Sequence, residues 1–191
     1  MKIIFTALIC LFTLVGFTSR SSAQAIPDTA RLAFGVEGGD PAGSISGRYT
    51  FMIGASLRYD YPITKHSYIT ASVGYQDFSV GNGSLTTQQA ILNKPIPTLQ
   101  TMPLKIGYKL FLVKRLYVQV ESGTTKLLNK KAEFAYFDYA FTYAPGFGFL
   151  FNTKGKGYYD VGVRYEGVSS FYNDNDKYNF WALHFAYAFK L

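Results

Sequence analysis

The segment RYTFMIGASLRYDY, residues 48–61, alternates large apolar side chains with small or polar ones at every second position. One face carries Tyr49, Phe51, Ile53, Ala55, Leu57, Tyr59 and Tyr61. The other face carries Arg48, Thr50, Met52, Gly54, Ser56, Arg58 and Asp60. Successive side chains of a β-strand point to opposite faces of a sheet, so a period of two indicates a strand. The segment therefore predicts a strand with one apolar and one polar face.

The same period of two occurs in seven further runs, at residues 31–38, 67–77, 100–111, 115–123, 138–151, 158–168 and 179–191. Short connections alternate with longer ones along the chain, which is the pattern of outer-membrane barrels. We therefore predict an all-β fold, an eight-stranded antiparallel transmembrane β-barrel with meander topology. Pro103 and Pro145 lie inside runs and each removes a ladder donor, so we expect bulges or barrel corners there.

Residues 1–23 have the composition of an export signal. Lys2 precedes an apolar run at residues 3–17, and small residues follow at 21–23. A transmembrane anchor is the alternative, but such a helix needs about 20 apolar residues. We predict a cleaved signal peptide over residues 1–23 and a barrel domain over residues 24–191. The only cysteine, Cys10, lies in the signal, so the mature chain has no thiol for disulfides, metal sites or catalysis.

The apolar face of the barrel is expected to point outward. A soluble, lipocalin-like barrel with its apolar face inward would show the same alternation. The interior of eight strands is only just wide enough for side chains to fill it, however, and the aromatic residues of run 138–151 would overfill it. We therefore place the aromatic residues toward lipid and the polar residues in the lumen.

The predicted site residues fall into two groups. A polar network is expected in the lumen, formed by Glu37, Arg58, Asp60, Lys105, Lys109, Glu121, Asp160, Arg164, Glu166 and His184. Buried charges persist only when they are paired, so ion pairs that fill the lumen are one interpretation, and a polar conduit or proton-responsive gate is the other. Aromatic girdles at the membrane interfaces are expected from Tyr49, Tyr59, Tyr61, Tyr75, Tyr139, Tyr159, Trp181 and Tyr187.

Four stretches, at residues 99–109, 116–123, 161–168 and in the closing strand, resemble the PorT-like outer-membrane β-barrel proteins of Gram-negative bacteria. The resemblance implies an outer-membrane location. Some of these relatives are tied to secretion across that membrane, and the family brings no catalytic residues. The last strand carries Phe185, Tyr187, Phe189 and Leu191 on one face, which resembles the signal read by the barrel-assembly machinery.

The sequence favours a binding or structural role over catalysis. Only His66 and His184 offer a histidine base: His66 lies in a short turn, and His184 is flanked by Ala182 and Ala186 with no serine two places on. Residues 173–176 are acidic but lack the glycine and distal glutamate of an EF-hand loop, so we predict neither a metal nor a cofactor. The net charge of +7 is dispersed, which argues against nucleic-acid binding.

We expect an integral, non-enzymatic outer-membrane protein that acts as a structural or interaction component of the cell envelope. The loops at residues 78–99 and 124–137 are the expected contact surfaces. Expected partners are outer-membrane lipids, lipopolysaccharide and an envelope protein. A narrow porin-like channel is the first alternative function, and a lipid-acting membrane enzyme is the second.

Overall fold

A computed structural model describes residues 29–43, 45–80, 98–129, 137–153, 157–169, 171 and 177–191. These residues form strands β1 (Arg31–Gly43), β2 (Tyr49–Thr64), β3 (Ser67–Val80), β4 (Leu99–Phe111), β5 (Leu116–Leu127), β6 (Tyr139–Asn152), β7 (Gly157–Val168) and β8 (Tyr178–Lys190). Each strand pairs antiparallel with the next, and β1 pairs with β8 to close the barrel. The prediction of an eight-stranded antiparallel meander is confirmed. The signal peptide predicted at residues 1–23 lies outside the described residues.

The strands are staggered around the barrel. A path of cross-strand partners runs through Ala33, Arg58, Ser72, Lys105, Gly123, Thr142, Val168 and Tyr178, and it returns to β1 at Gly43. The path therefore ends ten residues beyond its start on the same strand. Such a shear tilts the strands relative to the barrel axis. Residues far apart in sequence are thereby brought to one level of the lumen.

The two ends of the barrel differ in the length of their connections. At one end, which we call the turn side, the strands are joined by residues 65–66, 112–115 and 153–156. At the other end, the loop side, the connections are residues 44–48, 81–98, 128–138 and 169–177. Both ends of the described chain lie on the turn side, where the amide of Leu191 donates to the carbonyl of Ala30 at 2.9 Å.

Several strands extend further toward the loop side than the alternation predicts. β1 continues to Gly43 rather than residue 38, and β5 continues to Leu127 rather than residue 123. Backbone pairing is maintained there, for example between Gly43 and Tyr178. Because the peptide hydrogen bonds of a ladder do not depend on side-chain polarity, pairing continues beyond the residues that alternate.

The two prolines interrupt pairing without changing register. Pro103 pairs in register with Thr125 of β5. On its other side, the β3–β4 ladder has no paired residues at positions 102 and 103. Pro145 stays in register with Val120, and the β6–β7 ladder is interrupted beside it. The bulges expected at these prolines are therefore wrong. Each proline, which has no N–H to donate, costs pairing with one neighbour only.

A register irregularity does occur at the start of β2, between Tyr49 and Phe51. It turns Tyr49 into the barrel, where the side chain is only 2% exposed and packs against Phe78 with ring centroids 6.2 Å apart. The prediction of Tyr49 as an interfacial aromatic is therefore wrong. A bulge adds one residue to a strand, so the alternation before it is shifted to the opposite face.

The outer wall of the barrel is apolar. Side chains that are at least half exposed include Phe34, Ile53, Leu104, Ile106, Val120, Phe147, Leu183 and Phe185. This outward placement excludes the lipocalin-like arrangement, in which the same residues would fill the interior. Among the residues that the structure describes, no helix is long and apolar enough to cross a membrane.

Candidate functional site

The lumen holds all ten residues of the predicted polar network. Eight of them are buried: Glu37, Arg58, Asp60, Lys105, Lys109, Glu121, Asp160 and Glu166. Arg164 and His184 are partly buried, with side chains 12% and 11% exposed. Ion pairs divide these residues into two groups, which we call the turn-side cluster and the loop-side cluster.

The turn-side cluster alternates two cations with two anions. Arg58 Nε donates to Asp60 Oδ1 at 2.9 Å, and Arg58 Nη2 donates to Asp160. Lys109 Nζ lies 3.0 Å from Asp60 Oδ2 and 3.4 Å from Asp160 Oδ2. Each carboxylate therefore has both cations as partners. Such a balanced arrangement offsets the cost of removing four charges from water.

A hydrogen-bonded trio adjoins this cluster. The Tyr117 hydroxyl donates to Asp160 Oδ1 at 2.5 Å. His184 Nε2 lies 3.0 Å from the same hydroxyl and 3.3 Å from Asp160 Oδ1. Lys109 Nζ lies over the Tyr117 ring, 4.4 Å from its centroid. The trio thus links the imidazole to the ion pairs through one tyrosine.

The loop-side cluster contains three carboxylates and two cations. Arg164 donates two bonds to Glu37, Nη1 to Oε1 at 2.6 Å and Nη2 to Oε2 at 2.5 Å. Its Nε lies 3.0 Å from Glu166 Oε2, and Lys105 Nζ lies 2.7 Å from the same oxygen. Glu121 Oε2 is 3.9 Å from Lys105 Nζ. Planar, two-pronged pairing with Glu37 is the geometry that a guanidinium favours.

Neutral side chains satisfy the remaining carboxylate oxygens. Ser72 and Thr70 donate to Glu121 Oε1 at 3.2 Å and 3.4 Å. Gln76 Nε2 donates to Glu166 Oε1 at 3.3 Å, and Ser56 donates to Glu37 Oε1 at 3.0 Å. The Ser72 and Thr70 hydroxyls compensate Glu121 for its longer distance from Lys105. The loop-side cluster is thereby held without a further cation in the described part of the chain.

Apolar layers lie beyond both clusters. On the loop side, a layer of buried side chains is formed by Tyr49, Met52, Phe78, Leu99, Leu127, Ala140, Val168, Phe171, Tyr178, Phe180 and Ala182. On the turn side, a second layer is formed by Ala33, Tyr68, Phe111, Tyr117, Leu150, Tyr158, Ala186 and Ala188. The charged middle of the lumen is therefore enclosed between two apolar layers.

Arg31 lies within the turn-side layer and is 0% exposed. Its Nη2 donates to the Tyr68 hydroxyl at 2.6 Å. Its guanidinium lies 4.5 Å from the Tyr68 ring centroid, 5.0 Å from that of Tyr158 and 5.7 Å from that of Phe111. Aromatic ring faces attract cations at these distances. Three rings thus surround a buried charge at the turn-side end of the lumen.

Little free space remains in the lumen. A cavity of about 30 Å³ lies between the two clusters, against residues that include Arg58, Gln119 and Glu121. A water molecule needs roughly 10–15 Å³ measured in this way, so the cavity has room for about two waters. In the part of the chain that the structure describes, no group of three or more ligating side chains is placed to hold a metal ion.

The other seven predicted interfacial aromatics point outward and form two belts. Tyr59, Tyr61, Tyr159 and Tyr187 lie toward the turn side. Tyr75, Tyr139 and Trp181 lie toward the loop side. Aromatic girdles at both edges of an apolar band are the pattern of membrane-spanning barrels.

The predicted network omitted several lumen residues, among them Ser72, Gln76, Arg31 and Tyr117. Arg31 falls on the polar face of its run, and this periodicity could have identified it. Tyr117 follows Leu116 in a run whose other inward residues, such as Gln119, are polar. Because a tyrosine side chain is large, its inward position was harder to infer from the sequence. The structure also joins Asp60 and Asp160, which the sequence could not place together, through shared contacts with Lys109.

The fold is similar to that of two solved outer-membrane proteins. The outer membrane protein OprG from Pseudomonas aeruginosa has a TM-score of 0.55 at 9% identity, over 89% of this chain and 99% of that one. Ail, the attachment invasion locus protein of Yersinia pestis, has a TM-score of 0.51 at 12% identity, over 85% of this chain and 100% of that one. No family model and no curated protein matches the sequence. At such identities the similarity shows a shared fold, that of an eight-stranded outer-membrane barrel.

Proposed function

We propose that the protein is an integral outer-membrane barrel with a sealed lumen, which acts in the cell envelope through its loops and outer wall. The fold, the apolar wall and the two aromatic belts support membrane insertion. Both described chain ends lie on the turn side, which supports a periplasmic turn side and external loops. A cleaved signal at residues 1–23 and recognition of β8 by the assembly machinery belong to the same proposal.

The observation that carries the proposal is the closure of the lumen. Paired charges fill its middle, and apolar layers lie at both ends. The cavity between the clusters, about 30 Å³, is too small for a continuous file of hydrated ions. A pore needs a polar path along its whole length. Here the charged side chains pair with one another in the middle of the lumen, and apolar side chains fill both ends. This arrangement favours a filled barrel over a porin-like channel.

The role that we propose is non-enzymatic. The nearest approach to a catalytic constellation is the trio of Tyr117, Asp160 and His184. Asp160 is 0% exposed and is already paired with Arg58 and Lys109. A general base must reach a substrate proton directly or through one water. The cavity of about 30 Å³ that borders Tyr117 and His184 is too small for a lipid substrate.

The resemblance to PorT-like proteins supports a finer proposal, that the barrel is an accessory component of secretion across the outer membrane. Its partner would then be an envelope protein that contacts the external loops. The exposed rim at Lys126 and Tyr139, where the lysine Nζ lies 5.8 Å from the ring centroid, also offers charge and aromatic surface to lipopolysaccharide.

The test is single-channel conductance of the refolded protein in a planar bilayer, with a heat-shift gel to show that the barrel is folded. A folded protein that gives no current steps is the expected result. The matched control is a double variant in which Phe78→Ala and Phe180→Ala thin the loop-side layer while the charged clusters stay intact. It should remain silent as well, because the ion pairs still fill the lumen. Discrete, reproducible current steps from the wild-type protein would overturn the proposal and indicate a narrow pore.

A further inference from the structure

The outer wall of the barrel carries a single cation. Alternation along the eight described strands places only three charged side chains on the outward face, those of Asp40, Asp77 and Lys126. Lys126 lies near the loop-side end of β5, at the level of the loop-side aromatic belt. An unpaired charge in an apolar medium is costly, so a lysine in a lipid-facing wall needs an anion for its ammonium.

The protein itself supplies no anion to this lysine. No ion pair joins the Lys126 ammonium to any residue that the structure describes. Its Nζ lies 5.8 Å from the ring centroid of Tyr139, its ladder partner on β6. At this distance the ring orients the ammonium by a cation–π contact but accepts no strong hydrogen bond from it. Asp77, in contrast, accepts hydrogen bonds from the side chains of Tyr75 and Gln100.

The backbone around Lys126 is held on both sides. The amide of Leu128 donates to the carbonyl of Gln100 at 2.8 Å, and the amide of Leu127 donates to the carbonyl of Asp138 at 2.8 Å. β5 is therefore bonded to both neighbouring strands beyond Lys126, and the lysine is not part of a free loop. Paired strands position a side chain more precisely than a loop does, so the ammonium is presented at a defined height on the wall.

Apolar side chains flank the lysine on both neighbouring strands. On β4, its ladder partner Met102 is 40% exposed, and Leu104, one outward position nearer the middle of the wall, is 56% exposed. On β6, Phe141 lies one outward position nearer the middle than Tyr139 and is 59% exposed. A ligand that fits this surface combines one anionic group at Lys126 with apolar chains that descend on both sides of it.

We propose that Lys126 binds a phosphate group of lipid A, the membrane anchor of lipopolysaccharide, while its acyl chains pack against Met102, Leu104 and Phe141. The inference rests on the proposed function and specifies its contact with lipopolysaccharide, because it requires the loop side to lie in the outer leaflet. An ammonium and a phosphate form a charge-assisted hydrogen bond. A phospholipid has fewer chains to cover both flanks of the lysine, and inorganic phosphate has none, so both are weaker ligands.

Met102 makes the proposal measurable, because the chain has only three methionines. Met1 belongs to the predicted signal, and Met52 is 0% exposed inside the lumen. The protein, labelled with ¹³C at the methionine methyl groups, is refolded into phosphatidylcholine nanodiscs that contain increasing fractions of lipopolysaccharide or of phosphatidylglycerol. We expect the Met102 methyl resonance to shift, with its half-maximal change at a lower fraction of lipopolysaccharide than of phosphatidylglycerol. The Met52 resonance is the internal control and should stay in place.

Three variants separate the lysine from general charge effects. Lys126→Gln should raise the half-maximal fraction of lipopolysaccharide about five-fold, the effect of one lysine near an anionic membrane surface. Lys126→Arg keeps the charge and should restore the wild-type value. Lys177→Gln removes one charge from the same side of the barrel at an exposed position outside the wall, and it should leave the value unchanged. Lipopolysaccharide stripped of its lipid A phosphates should bind wild type and Lys126→Gln equally.

Equal half-maximal fractions for lipopolysaccharide and phosphatidylglycerol would overturn the choice of ligand, as would a Met102 shift produced by inorganic phosphate alone. A Met102 shift that is the same in wild type and Lys126→Gln would overturn the role of the lysine. A folded, inserted protein whose Met102 resonance ignores lipopolysaccharide would overturn the inference and leave the sealed barrel standing. A protein that shows no heat shift and stays outside the nanodiscs would instead contradict the proposed function.

Discussion

Replacing Lys109 with methionine is expected to lower the free energy of unfolding by about 3–5 kcal/mol, the cost of breaking a buried ion pair by removing one partner. The Lys109 side chain is 0% exposed, and its Nζ lies 3.0 Å from Asp60 and 3.4 Å from Asp160. Each contact corresponds to a Coulomb attraction of about 5 kcal/mol at an effective dielectric constant of about 20, before desolvation is subtracted. In the variant, Arg58 alone would neutralise two carboxylates.

The assay is reversible urea unfolding of the protein refolded in phospholipid vesicles, followed by the heat shift on a gel and by the fluorescence of Trp181. Lys65→Met is the matched control, because Lys65 lies exposed in the turn between β2 and β3. Its change should stay within about 0.5 kcal/mol of wild type. The double variant Lys109→Met with Asp60→Asn leaves Arg58 paired with Asp160, so it should recover part of the loss, with a coupling of about 1–3 kcal/mol.

The outcome that refutes this reasoning is a Lys109→Met protein as stable as the Lys65→Met control. The carboxylates of the turn-side cluster would then not depend on Lys109, and ion pairing would not be what stabilises the filled lumen. A double variant less stable than Lys109→Met alone would contradict the charge balance that we assign to the four residues of the cluster.

Two further predictions test the wall and the packing of the barrel. Ile106 is 66% exposed in the middle of β4, so Ile106→Arg should lower the free energy of unfolding in vesicles by about 2–4 kcal/mol if that face meets lipid. Leu112→Arg, in the turn, should lower it by only about 0–1 kcal/mol. Equal losses for the two variants would contradict the assigned membrane face. A Cβ on Gly123 would lie 2.0 Å from the carbonyl oxygen of Leu104, so Gly123→Ala should cost about 1–3 kcal/mol by forcing the strands apart. A Cβ on Gly47 would have no neighbour within 4 Å, so Gly47→Ala is the control and should be neutral in the same urea assay. A Gly123→Ala protein as stable as this control would contradict the close approach of the strands.

The alternation of side chains was sufficient to predict the strands and the inward position of the charged residues. Alternation is a local property: once one side chain of a regular strand points inward, every second residue does so too. Glu37 and Glu121, for example, could be assigned to the lumen from their own runs alone. The same rule fails at Tyr49, because a bulge inserted between Tyr49 and Phe51 reverses the faces before it.

The partners of those charges could not be predicted from the sequence. Arg164 of β7 bonds to Glu37 of β1, and these strands are not neighbours in the sheet. Lys109 of β4 likewise reaches Asp160 of β7 across the lumen. Which charges share a level depends on the stagger of all eight strands, and this stagger is defined only when the barrel closes.

The sequence by itself therefore determined the strand pattern, the apolar wall and the polar content of the lumen, because each follows from a period of two along one strand. The tertiary structure alone decided the pairing of the charges and the closure of the lumen by two apolar layers. Each of these depends on side chains from at least three strands meeting at one level. Which side chains reach one level is set by the closure and shear of the barrel, and these are properties of all eight strands together.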